Sequence, residues 1–332
     1  MKKQFYVINL MVLSLLVIFV WQDISYAASE TYVTKKIKLG DYKQQNGKPT
    51  SGTYSVHWWD LENVHFAVDE NHKVYVLDIY NKKVLQLSPE ANLVKEIVLK
   101  GIEFPYTNKN IDDGSMIYPI EVSSDGNFIY VVGGSEEYNW TIFKNDGVLV
   151  KKNVHRMEFY RTCNGRFVSG REILDNNLNS VGKFKGSLAK PKLVSDSEDN
   201  LYLLNLAPKY MLKTPFEKPY LTKKTPDGKQ IWKKEINGHK KALGILGTDS
   251  NNNIYVLMDG SLGIVKLNKE DGEQIERISL PSDLTYTNKE WKWNNFRVLC
   301  DGTVYYFPPT KQNKGSKSKG LNEYAIYIFE KM

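Results

Sequence analysis

The sequence of 332 residues lacks long helical patterns: no stretch keeps an apolar period of 3.6 residues over several turns. Short β-branched and aromatic runs occur throughout instead, separated by Asp-Gly and Asn-Gly pairs. Aromatic content is high for so polar a chain, which has 21 Tyr. These patterns exclude a helical bundle and indicate an all-β domain.

Familiar catalytic signatures are also missing. The sequence has no Gly-x-Ser-x-Gly elbow, no His-x-x-x-His pair, no phosphate loop and no Cys-x-x-Cys. The oxygen-rich stretches 110–115 and 249–253 lack the spacing and the distal glutamate of a calcium loop. We therefore predict no metal site and no cofactor, and we favour a binding protein over an enzyme.

Charge gives a further limit on partners. The formal net charge is +7, and the lysines that cause it are spread along the chain rather than gathered in blocks. A mild excess of this kind suits loose contact with anionic wall polymers or simply aids solubility. We expect no nucleic-acid partner.

The N-terminus has the three parts of a secretory signal peptide. Lys2 and Lys3 precede an apolar stretch over 5–21, and Ser25 and Ala27 supply small residues before a cleavage site. The alternative is a retained membrane anchor, although the stretch is short of the ~20 residues that span a bilayer. We predict cleavage after Ala27, secretion or residence in the cell envelope, no membrane insertion of the mature chain, and a single domain over 28–332.

A repeated unit determines the architecture. Four strand-like runs at 64–68, 73–78, 83–88 and 93–99 form an antiparallel meander, which must stack on copies of itself to bury both faces. Its second strand recurs in five further places, each after a polar turn. The six copies are Val74-Tyr75-Val76, Ile129-Tyr130-Val131, Phe167-Val168, Leu201-Tyr202-Leu203, Ile254-Tyr255-Val256 and Val304-Tyr305-Tyr306.

The two ends of the chain complete the last unit. This unit reaches only a third strand near its C-terminus, while an isolated strand pattern lies at 32–39. Pairing the two removes an open sheet edge. The sequence thus predicts a six-bladed β-propeller of four-stranded antiparallel blades, closed by its N-terminal strand, and we expect a monomer.

The first unit resembles an NHL repeat. Asp69, Val74-Tyr75-Val76, Asp78, Asn81 and Val84 match the family pattern, whereas His72 stands where the family prefers Gly. The resemblance implies a propeller fold and says little about chemistry, since such propellers include binding proteins and a few enzymes. We interpret Asp69 and His72 as turn residues and Asp78 as the end of a strand, rather than as a metal site.

Loop lengths differ between the two ends of the predicted disc. Turns between strands one and two, and between strands three and four, are short, whereas the other connections hold nearly every insertion. Ligand-binding residues concentrate on elaborated loops. We therefore predict a ligand site on the loop-rich face at Trp58, Trp59, Tyr118, Arg156, Lys190, Trp291 and Trp293.

The predicted site residues suit sugar rings and protein side chains. Tryptophans with polar neighbours match partners that have apolar faces and polar rims. Arg156 belongs to an arginine-rich stretch and is placed at the start of an inner strand, near the channel mouth. The alternative for all these residues is ordinary packing and surface pairing.

The positions of the two cysteines bear on whether they form a disulfide. An oxidising compartment suggests a disulfide, but Cys163 and Cys300 lie in equivalent turns of blades three and six, which are opposite in the ring. Their Cα atoms are then expected to exceed the ~7 Å that a bridge tolerates. The sequence predicts two unpaired thiols.

The leading functional hypothesis is a secreted or envelope-associated propeller that binds a glycan, a cell-wall polymer or a protein. The alternative is a metal-dependent, lactonase-like hydrolase or a lyase that uses channel residues such as His65, Glu121 and Arg156. A purely structural scaffold is a third possibility. The NHL resemblance does not discriminate among them.

Overall fold

The computed structural model describes residues 32–38, 65–78, 81–102, 120–132, 139–156, 159–185, 192–205, 220–236, 242–258, 263–280, 296–307 and 325–331. These residues form strands and turns, and they contain no helix. The strands build six four-stranded antiparallel sheets arranged as a β-propeller. The predicted all-β class, blade number and blade topology are confirmed.

Each of the first five blades is a meander of consecutive strands. Blade one has β2 (Phe66–Val68), β3 (Val74–Asp78), β4 (Lys83–Leu87) and β5 (Leu93–Val98). Blade two has β6 (Ile120–Val122), β7 (Phe128–Val132), β8 (Asn139–Lys144) and β9 (Leu149–His155). Blade three has β10 (Phe159–Arg161), β11 (Phe167–Ser169), β12 (Glu172–Leu174) and β13 (Ser180–Lys183).

Blades four and five follow the same order. Blade four has β14 (Lys192–Ser195), β15 (Leu201–Asn205), β16 (Tyr220–Lys224) and β17 (Gln230–Glu235). Blade five has β18 (Ala242–Thr248), β19 (Ile254–Met258), β20 (Gly263–Leu267) and β21 (Gln274–Ser279). In each of these five blades, one turn joins strands one and two and another joins strands three and four. We call the end of the propeller at which these turns lie the short-turn end.

Blade six joins the two ends of the chain. It has β22 (Phe296–Val298), β23 (Val304–Tyr306) and β24 (Ala325–Lys331), and its outer strand is β1 (Tyr32–Lys38). β1 runs antiparallel to β24, with Tyr32 opposite Lys331 and Lys38 opposite Ala325. The Lys35 ammonium lies 2.5 Å from a Glu330 carboxylate oxygen across this pair. The predicted closure by the N-terminal strand is confirmed.

The cores lie between neighbouring blades. Strand two is buried on both faces, as in β3 and β19, whose residues are all buried. One apolar cluster joins blades one and two through Tyr75, Leu77, Ile97 and Ile129. Since each blade buries its faces against the next, the fold needs the complete ring.

Candidate functional site

The first turns of the six blades meet around the propeller axis. Glu70 of blade one donates its backbone N–H to the Ser124 carbonyl of blade two, at 3.0 Å. Ser250 of blade five similarly donates to the Cys300 carbonyl of blade six, at 2.6 Å. Backbone from different blades is therefore in direct contact at the short-turn end.

Cys163 and Cys300 form a disulfide at this point, with Cα atoms 5.4 Å apart. The prediction of two unpaired thiols is wrong. The two turns do belong to opposite blades, but each cysteine lies at the inner tip of its turn, where the six tips converge. The Cys163 sulfur is also 3.3 Å from the Thr248 carbonyl oxygen of blade five.

Glu70 connects three blades beside the disulfide. One carboxylate oxygen accepts a hydrogen bond from Arg161 Nη2 of blade three at 2.7 Å, and the other accepts the Cys300 backbone N–H at 2.9 Å. The Arg161 side chain is only 9% exposed, and it also donates to the Val122 carbonyl at 3.3 Å. Such a charge-assisted pair is well held because both partners have further hydrogen bonds.

A second arginine–glutamate pair joins blades six and two. Arg297 of blade six lies with its Nε 3.6 Å from a Glu121 carboxylate oxygen of blade two. Its Nη2 donates to the Ile120 carbonyl at 3.4 Å, and its guanidinium carbon lies 5.3 Å from the centre of the Phe66 ring. Arg297 thus reaches past blade one to blade two.

The two pairs occupy successive levels of the channel. Arg161 is the last residue of β10 and directly precedes the first turn of blade three. Glu121 and Arg297 lie one residue earlier in their strands, β6 and β22, and are therefore one residue farther from the first turn. The Glu121–Arg297 pair therefore lies towards the end from which the long connections emerge. We call Glu70, Glu121, Arg161, Arg297 and the disulfide the axial hub.

The axial hub has a definite chemical character. It combines two carboxylates with two guanidinium groups, so its formal charges cancel. The side chains of Glu121 and Arg297 remain 12% and 21% exposed, so both keep some contact with solvent. A carboxylate and a guanidinium at this level can donate to and accept from a polar ligand.

In blades one, four and five the outer part of the first turn is held by an aspartate. In blade one, Asp69 accepts the backbone N–H groups of Asn71 and Lys73 at 2.9 and 3.0 Å and the Tyr75 hydroxyl at 2.9 Å. Burial, and then the Asp69 charge, raise the pKa of Tyr75 far above its ordinary value. The interpretation of Asp69 as a turn residue is confirmed.

The same arrangement recurs with a lysine in blades four and five. Asp249 accepts from the Tyr255 hydroxyl at 3.3 Å and lies 2.9 Å from Lys266 Nζ, and both side chains of the ion pair are nearly buried. Asp196 and Tyr202 have the same contact at 3.0 Å. These carboxylates hold strands one, two and three together and have no free face for a ligand among the described contacts.

His72 joins the first turns of blades one and six. Its Nε2 lies 3.0 Å from an Asp301 carboxylate oxygen, and its Nδ1 lies 2.9 Å from the Tyr305 hydroxyl. The hydrogen bond with Asp301 raises the pKa of His72 and outweighs burial, which acts in the opposite direction. For Asp301, burial opposes but hydrogen bonds from His72 and Thr303 prevail, so its pKa is lowered.

Six of the seven predicted ligand residues lie outside the described residues: Trp58, Trp59, Tyr118, Lys190, Trp291 and Trp293. The seventh, Arg156, follows the last residue of β9 rather than starting β10. It donates to the Leu178 carbonyl at 3.3 Å and lies 3.7 Å from Glu172, which are contacts with the outer half of blade three. The structure places another arginine of the same stretch, Arg161, at the axis.

The residues of the axial hub were mostly missed by sequence reasoning. Glu121 was considered, and Arg161 was counted in the arginine-rich stretch in which Arg156 was preferred, but Glu70 and Arg297 were not considered. Alignment of the first turns gives the signal that was needed, because it places Glu70 at the same position as both cysteines. It also places Glu121 and Arg297 at equivalent positions of strand one.

Within the described parts of the chain, no group of three His, Cys, Asp or Glu side chains is arranged to hold a metal ion. The same residues include no helix long and apolar enough to cross a membrane.

Comparisons with known proteins agree on the fold only. No family model and no curated protein matches the chain. Among solved structures, a luciferin-regenerating enzyme is similar at 12% identity, with a TM-score of 0.47 over 90% of this chain and 95% of that one. Virginiamycin B lyase from Staphylococcus aureus is similar at 11% identity, with a TM-score of 0.45 over 90% and 99%.

A third structure is an aldose sugar dehydrogenase from Streptomyces coelicolor in its PQQ-bound form. It is 8% identical, with a TM-score of 0.47 over 90% of this chain and 98% of that one. At identities and scores this low, these proteins carry no argument about activity. The propeller that the NHL-like repeat implies is confirmed, and membership of the NHL family stays an expectation.

Proposed function

We propose that this chain is an extracytoplasmic binding protein that recognises a glycan, a cell-wall polymer or a protein at the end of the propeller opposite its disulfide. The observation that carries the proposal is the Cys163–Cys300 bond, which joins opposite blades across the axis. It obstructs the channel at the short-turn end and leaves the loop-rich end for a ligand. A stable disulfide also suits an oxidising compartment.

The rest of the axial hub supports this direction of access. The Glu70–Arg161 pair lies next to the disulfide, so the short-turn end is filled by covalent and ionic contacts. Glu121 and Arg297 stand one residue nearer the loop-rich end of their strands, and we infer that they form a polar floor for a ligand there. The tryptophans predicted from the sequence would then supply the apolar contacts around this floor.

The test is a binding screen followed by substitution. The protein is applied to an array of wall glycans and to extracts of secreted proteins, and the best ligand is measured by calorimetry. With alanine at Trp58 and Trp293, we expect affinity to fall at least about tenfold, as for aromatic anchors of an interface. Ile275→Ala, at an exposed residue of β21, is the control and is expected to bind normally.

Unchanged affinity in the folded Trp58→Ala, Trp293→Ala protein would contradict the proposed site. Binding that is lost equally in Ile275→Ala would contradict it as well, because that residue lies on an outer strand.

An enzyme is the second candidate, and the Glu121–Arg297 pair favours it. A partly exposed carboxylate beside a guanidinium can exchange a proton and stabilise a developing anion in a lyase reaction. Metal analysis of the purified protein tests whether the chain is a metal-dependent hydrolase rather than a lyase or a binding protein. A stoichiometric divalent ion that is lost in Glu121→Gln would favour a metal-dependent enzyme over a binding protein.

A further inference from the structure

The outer strands of five blades share a bulge with an exposed β-branched residue. In each outer hairpin the ladder skips one residue near the start of strand four, and blade two has a second irregularity between Trp140 and Ile142. The skipped residues are Val94, Val150, Val181, Ile231 and Ile275, all between 41% and 56% exposed. Bulges twist an edge strand and interrupt its ladder, which hinders pairing with another chain. Because this feature recurs, it belongs to the blade and does not by itself indicate a partner.

Blades one and two carry additional exposed apolar side chains that the other blades lack. Before the bulge stand Leu93 and Leu149, which are 54% and 38% exposed. Blades three, four and five have polar residues at this position: Ser180, Gln230 and Gln274. The blade fold therefore does not require leucine there.

Two exposed valines add to the difference between blades one and two and blades three to five. Val148, 54% exposed, directly precedes Leu149, and the residues at its position in blades three to five are Asn179, Lys229 and Glu273. Val98, 52% exposed, ends β5 opposite the first residue of strand three. Its counterparts in blades three to five are Lys183, Glu235 and Ser279. We call Leu93, Val94, Val98, Val148, Leu149 and Val150 the flank patch.

The flank patch is continuous from blade one to blade two. Gly147, in the turn before β9, packs so closely on β5 that a Cβ at this position would lie 2.4 Å from the Val98 carbonyl oxygen. Lys95 Nζ donates to the Asn145 carbonyl of the same turn at 2.7 Å. The two outer strands thus follow one another along the outside of the disc.

Positive charge accompanies the apolar side chains. Lys95, Lys151 and Lys152 are exposed on the two strands. The one carboxylate of these strands, Glu96, lies 3.0 Å from Lys83 and is neutralised by it. Two exposed acids, Glu90 and Asp146, stand in the turns that precede the strands, so the three lysines leave a small excess of positive charge around the apolar side chains. This combination favours an anionic lipid surface over water.

The shape of the surface favours the same occupant. The outside of a propeller is convex, which suits a broad surface better than a helix or an extended peptide that needs a groove. The bulges at Val94 and Val150 also hinder the addition of a partner strand.

We propose that the flank patch is a peripheral membrane-docking surface that places the outer strands of blades one and two against an anionic bilayer. Docking by the flank leaves the loop-rich end free. The proposal is independent of the ligand that the loop-rich end takes.

Vesicle binding tests this surface directly. A chain that starts at Ala28 contains every described strand and omits the apolar stretch 5–21. We expect it to sediment with vesicles of equal parts phosphatidylglycerol and phosphatidylcholine, and much less with phosphatidylcholine alone. Raising the salt to about 0.5 M is expected to weaken binding by screening the lysines.

The test variant gives blades one and two the residues of their neighbours: Leu93→Gln, Leu149→Gln, Val148→Asn and Val98→Ser. It is expected to bind at least about tenfold more weakly. The matched control, Ile231→Gln with Ile275→Gln, removes two exposed isoleucines from blades four and five and is expected to bind normally. Thermal unfolding of both variants verifies that they fold.

Three results would overturn the proposal. One is the absence of binding to the anionic vesicles by the parent chain. Another is equal loss of binding in the test and control variants. The third is self-association of the parent chain without vesicle binding, abolished in the test variant, which would make the flank patch an interface between two copies.

Discussion

His72 occupies a backbone position that has positive φ in all six blades. Its φ is 62°, and the equivalent residues are Gly126, Gly165, Asp199, Asn252 and Gly302. Glycine, asparagine and aspartate tolerate this conformation best, which accounts for the preference for Gly in the NHL pattern. Histidine is less favourable than glycine in this backbone conformation. In blade one its side chain contacts Asp301 and Tyr305 of blade six.

This contact is expected to depend on pH. The pKa of His72 is raised in the folded state, so its stabilising effect is complete below its unfolded value of about 6.5 and is lost as pH rises through the folded value. The pKa of Asp301 is lowered, so its effect is lost only as pH falls through a value below about 3.8. Glu70 and Glu330 also face His72 and act in the same direction as Asp301.

His72→Asn tests the contact, because asparagine keeps the backbone conformation and removes the ring. We expect the free energy of unfolding to fall by up to about 1 kcal/mol at pH 5.5 and by less at pH 8.5, since the pair is partly exposed. Urea unfolding at the two pH values measures this. His155→Asn, at an exposed histidine of β9, is the control. An equal loss for His72→Asn at both pH values would contradict an ionic contact.

Single residues also show where sequence reasoning ended. The stretch 156–171 has four arginines, and the pattern indicated that an inner strand follows Arg156. β10 is only three residues long and begins at Phe159. Arg161 is therefore the residue next to the turn between β10 and β11. A shift of a few residues in the start of a short strand decides which arginine reaches the axis. The alternation of apolar and polar residues does not determine where such a strand starts.

At the scale of elements, the glycines of the outer turns join neighbouring blades. Gly147 has φ +84°, and its missing side chain allows the β8–β9 turn to rest on the Val98 carbonyl. Gly228 does the same in blade four, where a Cβ would lie 2.8 Å from the Lys185 carbonyl oxygen. The close approach of backbone from two blades is thus built into the turn sequences.

Gly147→Ala is expected to destabilise the protein by roughly 1–3 kcal/mol, because alanine is strained at positive φ and its Cβ would meet the Val98 carbonyl. Gly101→Ala is a close control: φ is +76°, but the nearest atom, the end of the Lys152 side chain, is 3.4 Å away and can move. Thermal unfolding is expected to show the larger loss for Gly147→Ala. Equal losses would mean that backbone strain alone, and not the contact between blades, sets the effect.

Strand existence and order were predictable from the sequence because these signals are local. Each second strand is an apolar run after a polar turn, and its register follows from alternation. The outer hairpin of blade three, a weak pattern at 171–184, is formed by β12 and β13. The bulges at Val94 and its counterparts were not predicted, since one extra residue per hairpin leaves little trace in the sequence.

At the scale of the whole molecule, the disulfide is the feature that sequence reasoning missed. The equivalence of Cys163 and Cys300 was recognised, yet their distance depends on how far six turn tips converge on the axis. That distance follows from the tilt and packing of all the blades, for which no local pattern exists. Ring closure by β1 was predictable because the last unit has only three strands and the N-terminal region supplies one strand without a unit of its own.

Removal of the disulfide is expected to lower the free energy of unfolding by about 2–5 kcal/mol, because the bond closes a long loop between positions 163 and 300. The variant Cys163→Ser with Cys300→Ser, compared with the parent by chemical unfolding, measures this. A thiol assay on the unfolded, unreduced parent is expected to find no free thiol. Two free thiols in that assay would restore the sequence-based expectation.

The disulfide also changes what happens when the chain is cut. Residues 164–299 contain blades four and five together with three strands of blade three and the first strand of blade six. A single cut anywhere in this region leaves two polypeptides that are still joined through the axis and through the paired strands β1 and β24. A chain that is nicked between the two cysteines can therefore still remain one particle.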